Sequence, residues 1–267
     1  MACWPKEEAI ALREVTRFVC AALLAASLTG EAGAGGLQNA QLFLQFVTRG
    51  ETAYEEVHDY TATMRSVDRI GEVLEAERVI LLKFQRPLKV YMRWLDQASQ
   101  GREALYVAGE NDDKFLVAEK SGVAKFFTAR LDPRDPRLLA RSRHPVTDLG
   151  IGRLLEIVAA NAKRAARAGV LQVVDHGIGE VAGRPVREFE VALPRDASQG
   201  YYGYRFRVSF DEDNRLPIRV VVYDWSDRLV EDYTYMKLVL NPGLGPSDFD
   251  PRNPAYKFSN WRIPFRY

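Results

Sequence analysis

From residue 60 onward, most apolar positions recur at every second residue. "YRFRVSF" sets Tyr204, Phe206, Val208 and Phe210 against Arg205 and Arg207, and "REFEVAL" sets Phe189, Val191 and Leu193 against Glu188 and Glu190. "KVYMRWL" alternates Val90, Met92 and Trp94 with Tyr91, Arg93 and Leu95, and Val220 and Val222 oppose Arg219. A period of two marks strands with two unlike faces, and short turns between such runs mark an antiparallel sheet. "YTATMRSVDRI" and "VLEAERVILLKFQR" flank Gly71 as a hairpin. "RVILLKF" is apolar on both parities, which predicts a central strand covered on both sides.

Two stretches switch to a helical period. In "LQNAQLFLQFVTR", residues 37–49, Leu37, Leu44 and Val47 share a side with Phe43 and Phe46 adjoining, and Gly50 can end the helix. From Thr147 to Ala168 a second helix is predicted, with Ile151, Leu154, Leu155 and Val158 as its apolar stripe. Lys163, Arg164 and Arg167 fill its last turns, where positive charge suits the helix dipole, and Gly169 follows. Asp148 stands where an N-cap belongs, so Asp148→Ala is expected to cost about 1 kcal/mol. The closing "NPGLGPSDFDPRNPAYKF" is rich in Pro and Asn and should lie across the body as ordered loop.

The predicted architecture is α+β in one domain, residues 35–267. About ten antiparallel strands form a curled sheet, an incomplete barrel, with the N-terminal and mid-chain helices on its concave face. If Glu188, Glu190, Arg205 and Arg207 face solvent, then Phe189, Val191, Tyr204, Phe206 and Val208 face inward. By the same logic Met92, Trp94, Val220 and Val222 face inward, and Leu154, Leu155 and Val158 come down on them from the helix. A hydrophobic ligand would lie between. A packed core needs the same residues as a lined cavity, so both readings stand at this point.

Composition and charge narrow the function. The 267 residues are 47% hydrophobic and 27% charged with a formal charge of +1, which gives nucleic acid no basic surface to bind. No stretch supplies the apolar length of a transmembrane segment. Arg13 and Arg17 precede the apolar "FVCAALLAASLTG", and Ala32 and Ala34 form a small-residue cleavage site, so residues 1–34 are expected to be a secretory signal peptide. Its removal takes away Cys3 and Cys20, leaving no thiol for a disulfide, a nucleophile or a metal.

The densest chemistry is "RSRHPVTDLGIGRLLEIV", residues 141–158. Ser142, His144 and Asp148 are too close in sequence to converge as a triad, and no G-x-S-x-G elbow occurs. His58, His144 and His176 are widely spaced, so neither a metal nor another cofactor is expected. The residues suit a rigid loop instead. Pro145 extends the backbone at His144, Gly150 and Gly152 permit close packing, and Arg143 can pair with a carboxylate. A half-buried, hydrogen-bonded His144 ring is expected.

"YTATMRSVDRIGE", "PLKVYMRWL", "GREALYVAGENDDKFL", "RHPVTDLGIGRLLE" and the closing "DFDPRNPAYKF" closely resemble the bacterial family named domain of unknown function 1571. The layout of strands and helices also resembles periplasmic lipoprotein carriers of the LolA and LolB kind. That resemblance implies an incomplete barrel holding acyl chains between sheet and helices. The expected function is therefore an exported, monomeric, non-enzymatic carrier for an acyl-chain ligand, lipid or lipoprotein. The alternative is a cell-envelope structural or interaction module with a solid core and a protein partner.

Overall fold

The computed structural model describes residues 35–119 and 127–258, and the backbone of 262–263. The expected signal peptide lies outside the described residues. Helix α1 occupies residues 35–55 and runs through Gly50, which the sequence pattern had marked as its end. The chain then forms β1 (Asp59–Ile70), β2 (Val73–Leu74), β3 (Arg78–Gln85), β4 (Lys89–Trp94), β5 (Glu103–Val107), β6 (Phe115–Ala118) and β7 (Thr128–Leu131). A crossing segment carries α2 (Pro136–Leu139) and α3 (Ile151–Arg167). After it come β8 (Gln172–Val181), β9 (Arg184–Ala192), β10 (Arg205–Asp211), β11 (Pro217–Tyr223), β12 (Leu229–Leu240) and β13 (Arg262–Ile263).

All belong to one open sheet of thirteen strands, in the order β13-β7-β6-β5-β4-β3-β1-β12-β11-β10-β9-β8, with β2 on β1. The first series grows outward from β1 by successive antiparallel hairpins. The crossing segment carries the chain to the far edge, and the second series grows back until β12 pairs with β1. The count exceeds the expected ten because β2 and β13 have two residues each and β7 four, too short for a period to show, and because β8, interrupted by Gly177 and Gly179, carries no clear apolar alternation.

Alternation places the core. On the concave face, Phe43, Phe46 and Val47 of α1 and Leu155, Val158 and Ala162 of α3 pack on Phe189, Val208 and Phe210 of β9 and β10. Phe43, Phe46, Phe189 and Phe210 meet with ring centroids 5.2 to 6.3 Å apart, mostly edge to face. A second cluster lines β1, β3, β4 and β5 and includes Tyr60, Leu82, Phe84, Met92 and Ile151. The convex face of β4 and β5 is covered by the tail. Phe249 packs with Tyr91 and Leu105, and Tyr256 stacks on Tyr91 at 4.0 Å. That cover explains why β3 is apolar on both parities, since Leu81 faces this cluster.

The start of α3 departs from the sequence reading. Asp148 lies in a 3-10 turn, Val146–Asp148, and does not cap the helix; Gly150 is the N-cap, and no side chain of its own accepts there. The Ile151 N–H instead donates to the buried Tyr60 hydroxyl at 3.1 Å. An acceptor from β1 has replaced the local one, so the capping cost expected for Asp148→Ala has no basis. Gly150 has φ of 123°, and a Cβ there would stand 2.8 Å from the Phe84 ring. Gly150→Ala combines forbidden backbone with overpacking and should lower stability by at least about 2 kcal/mol in urea titration. An unchanged midpoint would show that this helix start is not pinned to the sheet.

Candidate functional site

The helices cover the concave face unevenly. α1 and the later turns of α3 seal β8 to β11, whereas the face of β1, β3, β4 and β12 stays partly uncovered. A cavity of about 950 Å³ lies there. Its apolar wall includes Met64, Ile80 and Met92 of the sheet, Leu154 and Val158 of α3, and Phe206 of β10. A solid core would leave no cavity above roughly 300 Å³, the lower bound for ligand pockets.

Met92, Trp94, Leu154, Val158, Phe206, Val220 and Val222 line this cavity. Leu155, Phe189, Val191 and Val208 share their face but are packed in the sealed half. Tyr204 is a correction. Its backbone already bonds to Leu193 and Tyr223 beside the start of β10, but its half-buried ring lies 4.6 Å from the Arg195 guanidinium and lines neither the cavity nor the packed core.

Along each central strand the inward positions change character. On β1, Tyr60, Ala62 and Met64 give way to Ser66 and Asp68. On β3, Phe84, Leu82 and Ile80 give way to Arg78, and on β12 Tyr235 gives way to Tyr233 and Glu231. Register aligns the change, since Ser66 faces both Arg78 and Tyr233, and Asp68 faces Glu231. One end of the cavity is thus polar.

The 141–150 loop is tethered to that end. Arg143 Nε donates to Glu231 Oε1 at 2.6 Å, and the Tyr202 hydroxyl donates to the same oxygen at 2.5 Å. His144 Nε2 lies 3.0 Å from that oxygen and 2.7 Å from the Tyr202 hydroxyl. With the tyrosine hydrogen committed to the carboxylate, Nε2 must be the donor. Arg78 and the Tyr233 hydroxyl both donate to the buried Asp68 carboxylate, and Arg78 also reaches the Arg141 carbonyl at 2.8 Å. Ser142 Oγ donates to the His144 carbonyl at 3.1 Å and does not approach the imidazole, so Ser142, His144 and Asp148 form no triad. Pro145 holds extended backbone behind His144, and a Cβ on Gly152 would enter the Tyr54 ring of α1. Among the described residues no group of His, Cys, Asp and Glu is arranged to hold a metal, and no helix is long and apolar enough to cross a membrane.

Glu231 and Tyr202 carry the network and were not singled out from the sequence. In "LVEDYTYMKL" each parity holds an acid, Glu231 or Asp232, so alternation does not tell which faces inward. Tyr202 is one aromatic among several in "YYGYRFRVSF", with nothing local to distinguish it.

Burial opposes charge on His144, but the Glu231 hydrogen bond and the charges of Glu231 and Asp68 outweigh it and hold its pKa above the ordinary range. Burial likewise pushes Glu231 up, but His144, Tyr202 and Arg143 together bring it below the usual carboxylate range. Burial dominates at Asp68, whose pKa is raised despite Tyr233 and Arg78.

Residues 57–258 match the family described as protein of unknown function DUF1571, and the chain belongs to that family. No curated protein matches it in sequence. Among solved structures it is similar to MucB, at 17% identity over 77% of this chain, with a TM-score of 0.45. That match spans 61% of the MucB chain. The lipoprotein LppX of Mycobacterium tuberculosis matches at 15% identity over 79% of this chain and 99% of its own, with a TM-score of 0.47. A LolA superfamily protein of Nitrosomonas europaea matches at 12% identity over 79% and 97%, with a TM-score of 0.35. These likenesses are of overall architecture and transfer no activity.

The tether fixes a pH dependence. A histidine with a raised folded pKa stabilises fully below its unfolded value of about 6.5 and loses that contribution as pH rises through the folded value. Urea midpoints should therefore fall from about pH 6.5 upward in the natural protein and fall less in His144→Gln. Equal slopes would mean that His144 is not charged in this network.

Proposed function

We propose that this protein is an exported, non-enzymatic binding or carrier protein for an amphiphile with an acyl chain, either a lipid or the lipid part of a lipoprotein. One observation carries the reading: a cavity of about 950 Å³ whose sheet wall passes from apolar to polar along each central strand. Its size lies near the top of the roughly 300–1,000 Å³ range of ligand pockets. Each methylene buried there contributes about 0.8 kcal/mol. Export rests on the basic, apolar and small-residue pattern of residues 1–34, and residues 35–267 then act as one monomeric domain. The solid-core alternative has no use for so large a space beneath α3. A non-catalytic role agrees with His144, which is spent on tethering a loop rather than on activating Ser142.

Mass spectrometry of organic extracts from natively purified protein should find acyl-chain lipid, and a fluorescent fatty acid should bind saturably. Met92→Trp adds bulk to the apolar wall where space exists. It should keep stability within about 1.5 kcal/mol of the natural protein while weakening fluorescent fatty-acid binding several-fold. Loss of more than about 3 kcal/mol would mean that the space is filled in solution. An empty protein that binds no fluorescent chain would end the carrier reading.

A further inference from the structure

The polar end of the cavity has hydrogen-bonding groups left over. Ser66 Oγ, Arg78 Nε and Asp96 Oδ2 are buried and make no hydrogen bond within the protein, and all three residues line the cavity. They also stand in one row. Ser66 pairs with Arg78 in the β1–β3 register. The β3–β4 register pairs Ile80 with Trp94, and the Leu95 amide still donates to the Val79 carbonyl at 2.7 Å, which carries Asp96 opposite Arg78. Ser66 is only 1% exposed, so its hydroxyl is fixed at the cavity wall rather than in bulk solvent.

The chemistry of the three atoms limits what satisfies them. Arg78 Nε only donates, Asp96 Oδ2 as a carboxylate oxygen only accepts, and a serine hydroxyl does both. A carboxylate head accepts but cannot serve Asp96, and an ammonium head donates but cannot serve Arg78. A hydroxyl serves all three. Charge gives the same answer. Three cations at this end are already paired, Arg78 with Asp68, and Arg143 and His144 with Glu231, while the exposed Arg141 lies at the rim. Asp96 places a carboxylate in the row itself, so an anionic head bound there is repelled by it.

We propose, resting on the carrier reading, that this row is a head-group site and that the ligand is an amphiphile whose head is uncharged and bears hydroxyls. An acylglycerol or a glycolipid supplies that chemistry. The acyl chain lies against Ile80, Met92 and Phe206, and the head group meets Ser66, Arg78 and Asp96.

The test is displacement of a bound fluorescent fatty acid from the full-length purified protein by single-chain competitors of matched length. The competitors are monopalmitoylglycerol, hexadecyl glucoside, palmitate, hexadecylamine and hexadecylphosphocholine, whose zwitterionic head has neither a hydroxyl nor an N–H donor. The two hydroxylated, uncharged lipids should compete roughly fivefold to tenfold better than the three charged ones, the worth of about one hydrogen bond. Whichever of the two is better separates the acylglycerol source from the glycolipid source. Asp96→Asn keeps the acceptor that caps its turn but replaces Oδ2 with a donor, and Ser66→Ala deletes a hydroxyl. Each should bring that ratio toward one, with thermal unfolding confirming that the variant folds. Equal competition by all five lipids overturns the head-group site and leaves the carrier reading standing. So does a preference for any charged lipid, or a ratio unmoved in both variants. Failure of the fluorescent chain to bind at all removes both.

Discussion

A concave apolar face as broad as this one demands cover, and the chain supplies only two long helices. Sheet faces are stable when another layer buries them. Here the cover is concentrated on one side, where α1 and most of α3 interlock with β8 to β11 through the four-phenylalanine cluster. Tyr54 and Leu154 touch both apolar clusters and mark the seam. Beyond the seam the second cluster packs part of the apolar face, and the rest of that face turns toward the cavity. The pairing of β12 with β1 makes this possible, because it fuses a sealed half and a half-covered one into one continuous surface.

The segment between the two strand series is held at both ends by different chemistry. Near α3 the contacts are close packing, with Gly150 against Phe84 and the Tyr60 hydroxyl taking up the first helix N–H. Toward the polar end they are charged, with Arg143 and His144 on Glu231. A carboxylate as buried as Glu231 is costly without partners, and it has three on one oxygen. The loop is thus part of the cavity wall, and Arg143 and His144 are its fastening.

A cavity that is apolar at one end and polar at the other is suited to molecules with the same division. At the polar end Arg78, Arg143 and His144 face carboxylates already. The spare capacity there is a mixture of donor and acceptor. That separates recognition by hydrogen bonding from recognition by net charge, with Ser66 and Arg78 on strands and Asp96 in the turn after β4.

Much of this was legible in the chain. The period of two fixed the strand faces. It assigned Met92, Trp94, Phe206, Val220 and Val222 to the inside, because a pleated strand leaves its side chains no other choice. The period of 3.6 fixed the stripe of α3 in the same way. Patterns of this kind report which face is buried but not what buries it, so Phe189 and Phe206 looked alike although one is packed and the other lines a cavity. Short-range rules also gave way where a distant partner was better placed. Tyr60 took the role expected of Asp148, and α1 passed through Gly50. The network around Glu231 joins residues 29 to 88 positions away from it in the chain. Only the path of the crossing loop and the stacking of β10, β11 and β12 in the sheet bring them together, and no local period encodes such a meeting.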